Sequence, residues 1–141
     1  MRILAVVVAL ATTSFAQAPA TILPAPVKNA FEKAYPGATI SSATQEREGN
    51  RAAFRVESVQ GGKRRSVLYD TSGSVIEVAE QVEERELPPP VAAAIRSHRR
   101  AIYVSGLKVT RGSNVEYRLT VRGSRRTAMV AKPDGTVVSF K

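Results

Sequence analysis

The 141-residue sequence has no cysteine, a single histidine, and no long apolar run beyond its first eleven residues. Without cysteine there is no disulfide framework and no thiol nucleophile, so stability must come from a packed core. A chain of about 125 residues, the length left after a leader is removed, can bury enough surface for that. One histidine excludes a three-histidine metal site, and no serine sits in a nucleophile-elbow context that could pair with it. His98 falls on the apolar stripe of an expected helix, where a structural role is the simpler reading. The glycine turns Gly61-Gly62-Lys63 and Arg122-Gly123-Ser124 lack the Gly-x-x-x-x-Gly-Lys-Ser/Thr spacing of a phosphate loop and lead into strands. The acidic run Glu83-Glu84-Arg85-Glu86 lacks calcium-loop spacing and reads as a solvated connector. The chain therefore reads as non-enzymatic, with no metal and no cofactor.

Acidic residues are also scarce: 12 Asp+Glu stand against 21 Lys+Arg, a net charge of +9. Such an excess favours an acidic protein or an anionic envelope component as partner. Solubility alone would also account for it. The N-terminus carries Arg2, a short apolar core from Ile3 to Ala11, and small residues at Ser14-Phe15-Ala16 and Ala16-Gln17-Ala18. That is the layout of a secretory leader, 1–16, with cleavage expected after Ala16 or else after Ala18. The apolar run is shorter than the roughly 20 residues a membrane span needs. The mature chain is expected to be periplasmic or secreted, without a transmembrane segment, and export argues against nucleic acid as a partner. Residues 17–22 read as a linker.

Helical and strand periodicities then alternate in a fixed order. A first helix is expected from about Pro26 to Tyr35, with Val27, Ala30, Phe31, Ala34 and Tyr35 on one stripe and Pro36-Gly37 as its stop. Strands are expected at 38–48, 51–60, 63–71 and 74–83, separated by Gly49-Asn50, Gly61-Gly62 and Ser72-Gly73. A second helix is expected from about Pro90 to Arg100. Strands at 101–111, 115–122, 125–132 and 136–141 follow, and connections this short favour antiparallel hairpins.

The two halves, 23–86 and 87–141, match each other. Leu23-Pro24-Ala25-Pro26-Val27 returns as Leu87-Pro88-Pro89-Pro90-Val91; Phe54-Arg55-Val56 returns as Tyr117-Arg118-Leu119; Gly73 returns as Gly135. These openings, with Phe31 to Ala38, Ala53-Phe54-Arg55-Val56 and Tyr69-Asp70-Thr71-Ser72-Gly73-Ser74-Val75, resemble the PepSY-like, or β-lactamase-inhibitor-like, family of small exported bacterial proteins. The second half departs from the pattern at His98-Arg99-Arg100 and Lys132-Pro133-Asp134. The resemblance implies an α+β fold: a tandem α-β-β-β-β repeat whose antiparallel sheet carries both helices on one face. It also implies binding to, or inhibition of, other proteins.

Half a layer cannot bury its apolar face alone, so the halves are expected to share one interior. That interior is expected to hold Val27, Phe31, Ala34, Val91, Ile95, Phe54, Val56, Tyr117, Leu119, Ile76 and Val138. Arg55, Arg118 and Arg122 then point to the helix-free face, fringed by Arg64, Arg65, Arg125 and Arg126 in the hairpin turns. Arginine forks suit carboxylates and phosphates, and these seven residues form the candidate binding surface. Outward arginines also protect a wet sheet from aggregation. The leading function is an exported binding module, with inhibition of a protease or envelope enzyme as one form of it; the alternative is an envelope sensor or carrier for a small ligand or anionic polymer.

Overall fold

The computed structural model describes residues 22–98 and 100–141. The expected leader and all of the linker but Ile22 lie outside the described residues. Two proline-led helices and eight strands follow one another as α1 (Ala25–Ala34), β1 (Thr39–Glu48), β2 (Arg51–Gln60), β3 (Lys63–Asp70), β4 (Val75–Gln81), α2 (Pro89–Ser97), β5 (Ile102–Arg111), β6 (Asn114–Arg122), β7 (Arg126–Ala131) and β8 (Val137–Phe140). The strands form one antiparallel sheet in the order of the sequence. No helix among the described residues is long and apolar enough to cross a membrane.

Proline starts both helices because its missing N–H would be unpaired in the first turn anyway. Val27 and Phe31, four residues apart, are buried against the sheet, and so are Val91 and Ile95. Burying such side chains contributes about 1.5–3 kcal/mol each. Tyr35 ends α1 by donating its N–H to the Phe31 carbonyl, and Gly37 turns the chain at φ +82. The second helix is shorter than the sequence suggests. It stops at Ser97, and Arg100 reverses the chain in the left-handed region, φ 55. His98 is therefore not on the helix stripe. It closes the helix, and its ring stacks on Phe140 with centroids 3.6 Å apart. The acidic connector folds into a 3-10 turn, Glu84–Glu86, in which Glu83 and Glu86 cap each other and Lys63 pairs with Glu86.

Register places both helices on the same side of the sheet. Phe54 faces Tyr69 and Val56 faces Val67, all packed under α1. Along the same side, Val67 faces Val78, Val78 faces Thr110, and Thr110 faces Val115, which packs beside Tyr117 and Leu119 under α2. The single shared interior does not form. One cluster surrounds Val27, Phe31, Val56, Val67 and Tyr69; another surrounds Val91, Ile95, Leu119, Val121 and Met129. The reason lies on β5, which offers Gly106, Lys108 and Thr110 to the helix side, with Glu80 of β4 directly opposite Lys108. That polar seam separates the two cores. Ala34 and Val138 are also not core residues: both are exposed, and Val138 lines the opposite face.

Each half locks its helix with a glycine. A methyl on Gly73 would stand 2.5 Å from the Pro26 carbonyl oxygen, and one on Gly135 would stand 2.7 Å from that of Pro90. Both turns cross the first turn of their helix, and only a residue without Cβ fits beneath it.

Candidate interaction surface on the helix-free face

The helix-free face is not flat. Leu68, Ala79 and Val109 point to it and are nonetheless buried, because the sheet curls around them. A charge network holds the curl at one end. Arg55 on β2 clasps Glu46 of β1 with two guanidinium nitrogens, at 2.7 and 3.2 Å, and donates to Ser66 of β3. Its Nη1 also lies 3.5 Å from Glu77 of β4. Arg111 on β5 approaches the same Glu77 at 3.0 Å and reaches Glu48 of β1 at 2.5 Å. The hydrogen bonds to Glu46 and to Glu48 stabilise the charged guanidinium and push the Arg55 and Arg111 pKa values further up. Glu77 is buried, and both arginines pair with it.

Beyond the network the face opens into depressions. One of about 740 Å³ is lined by Arg64, Gln81, Leu107, Arg118, Thr120 and Val130. Another, about 410 Å³, shares Arg64 and Leu107 with it and adds Glu57, Val59 and Ala79. A third, about 720 Å³, lies between Arg111, Arg118, Lys132 and Val138. Leu107 and Val59 are 39% and 37% exposed, an apolar centre in a polar surround.

The seven arginines singled out from the sequence do not form one surface. Arg55 is at the heart of the charge network. Arg64 and Arg118 border the central depression; Arg64 has no ion pair among the described residues, and Arg118 pairs with Glu116 at 2.7 Å. Arg65 borders the depression of about 410 Å³, but its guanidinium turns to the helix side, 4.0 Å above the Tyr35 ring and bonded to Glu80. Arg122 and Arg126 face each other across β6 and β7 at the far end of the sheet, with Arg125 in the turn between them. Sequence reasoning missed Leu107, Val59 and the clamp Arg111–Glu77. Alternation could have placed Leu107 outward, but no sequence signal marks an outward leucine as central.

A scan against protein-family models finds no match, and a search of curated proteins finds none either. Solved structures do match the fold. A candidate periplasmic protein from Bacteroides eggerthii superposes with a TM-score of 0.70 at 15% identity, over 86% of this chain and 89% of that one. A DUF2874 family protein from Bacteroides ovatus gives 0.67 at 16% identity, over 86% and 88%. A BLIP-like protein from Bacteroides fragilis gives 0.63 at 18% identity, over 89% and 88%. This chain thus shares the α+β fold of the BLIP-like and DUF2874 structures, a curled antiparallel sheet with helices.

Proposed function

We propose that the chain is an exported, non-enzymatic binding module that presents the concave, helix-free face of its sheet to another protein. The observation that carries this is Leu107, exposed at the centre of that face with Val59 beside it and Arg64 and Arg118 around it. An apolar centre ringed by polar groups and arginine is the anatomy of protein interfaces. Arg64, which has no ion pair among the described residues, and the surplus positive charge favour an acidic partner. Arg55 contributes by holding the face in shape. Inhibition of a protease or envelope enzyme is the activity we assign to such a surface, and the BLIP-like neighbour supports it through the fold alone. A periplasmic or secreted location is supported by the leader-like N-terminus. Two copies of one PepSY-like unit are supported by the matching glycine locks at Gly73 and Gly135.

A second reading, an envelope sensor or carrier for an anionic polymer, is favoured by the uneven charge of the second half. Salt separates the two, because polymer bound through arginines weakens steeply as salt rises while an apolar-centred interface weakens less. Photocrosslinking in intact cells tests the first. A crosslinker at position 107 should yield a discrete protein adduct that Arg118→Glu diminishes, while one at Ala93, exposed on α2, should not. Adducts from position 93 alone would overturn the proposal.

A further inference from the structure

Charge is divided unequally along the chain. Residues 17–86 carry nine Lys+Arg and ten Asp+Glu; residues 87–141 carry eleven and two. Those two, Glu116 and Asp134, line the depression at the end where β5 turns into β6 and β7 into β8. The opposite end is built by the exit of α2, the start of β5 and the turn from β6 to β7. It holds Arg100, Arg122, Arg125 and Arg126, and among the described residues none of them has an Asp or Glu within ion-pair distance.

Arg122 and Arg126 are moreover direct register partners, and like charges placed opposite each other on a sheet repel. Ile102 stands next to Arg122 on β5. Ile102 is 51% exposed, and Val104, at the bulge of the same strand, is 37% exposed. Beyond Gln81 and Leu107 the ladder between β4 and β5 ends; Val82 still donates its N–H to the Gly106 carbonyl and accepts from the Tyr103 hydroxyl, so Ile102 and Val104 lie past the last β4 contact. Repelling cations without a carboxylate partner among the described residues, beside exposed aliphatic side chains, suit one kind of neighbour. We propose that this end docks on an anionic membrane surface. Arg122, Arg125 and Arg126 take headgroup phosphates, and Ile102 and Val104 enter the acyl boundary. The bound phosphates relieve the Arg122–Arg126 repulsion. The depression at this end, about 240 Å³ between His98, Arg125 and Phe140, is smaller than the one of about 740 Å³ around Leu107, where a protein partner is placed.

Vesicle co-sedimentation of the full chain tests this. Vesicles of phosphatidylglycerol mixed with phosphatidylcholine are compared with vesicles of phosphatidylcholine alone, which measure what the apolar run Ile3 to Ala11 contributes. Each basic residue beside an anionic leaflet is worth about a five-fold factor, so Arg122→Gln, Arg125→Gln and Arg126→Gln together should lower the preference for anionic vesicles on the order of 100-fold. The corresponding lysine triple should retain most of it, and Leu107→Asp should leave it unchanged. Circular dichroism verifies that each variant is folded. Equal sedimentation on both vesicle types by the wild-type chain would overturn the proposal. So would a glutamine triple, still folded, that keeps the preference, or binding of inorganic polyphosphate without any preference for anionic vesicles.

Discussion

Arg111 and Glu48 meet side chain to side chain, 2.5 Å between Nη1 and Oε1, although three strands lie between theirs. In a flat sheet the β1 and β5 backbones would be about 19 Å apart. The contact exists because the sheet closes on its helix-free side, and it makes that side a receptacle. Glu77, buried between Arg55 and Arg111, is the shared anchor of that closure.

The anchor should matter more than the bridge. Glu77→Ala leaves two arginines without their buried carboxylate and should cost about 2–4 kcal/mol. Glu48→Ala removes a half-exposed partner and should cost under about 1 kcal/mol. Urea unfolding of both variants measures the difference; a larger loss for Glu48→Ala would contradict the anchoring role.

The glycine locks give a graded test. Gly112 turns at φ +59 with open space around its missing Cβ, so Gly112→Ala meets only the backbone penalty, about 1 kcal/mol. Gly73→Ala and Gly135→Ala add a collision with helix backbone and should cost about 2–4 kcal/mol each. Thermal melts with near-UV circular dichroism should show all three melting earlier, Gly112→Ala least.

Tyr69 is fully buried, its hydroxyl has no hydrogen-bond partner among the described residues, and burial pushes its pKa up from 10.0 to about 12. The unfolded phenol ionises first, so between those values the unfolded state holds fewer protons than the folded one and stability falls as pH rises. The contribution is intact below pH 10.0 and its loss approaches about 2–3 kcal/mol near pH 12. Urea midpoints across this window, compared with Tyr69→Phe, should show a steeper decline for the wild type.

At the acid end the β3–β4 and β7–β8 turns should loosen. Asp70 accepts hydrogen bonds from the Ser72 hydroxyl and from the Ser72 and Ser74 amides, and Asp134 accepts one from the Thr136 amide. These bonds hold both carboxyls below the ordinary aspartate range. Their stabilisation is present above that range and is lost as pH falls through the lowered values. Amide exchange at Ser72, Ser74 and Thr136, corrected for intrinsic rates, should lose protection in that direction; unchanged protection would count against it.

Strand positions were legible in the residues because glycine pairs and Pro-Asp-Gly punctuate clean alternation. Every expected strand forms with bounds shifted by at most two residues. The inward set of β6, with Tyr117, Leu119 and Val121 buried, followed from alternation alone. The seam was legible only with register: Lys108 and Thr110 read as ordinary β-strand residues until Glu80 and Val78 are placed opposite them. Arg55 and Arg118 hold matching positions in the sequence, yet one is clasped by carboxylates of other strands and the other by its own strand neighbour Glu116.

By itself the sequence determined which segments are helices and strands, that neighbouring strands pair as hairpins, and that the chain carries surplus positive charge. These are local properties, set by periodicity, turn residues and composition. Tertiary structure alone decided that the interior splits in two, that Arg65 joins the helix side, and that Leu107 stands at the centre of a hollow. Those outcomes depend on inter-strand register and sheet curl, which bring together residues as distant as Glu48 and Arg111 and leave no trace in any short stretch of chain.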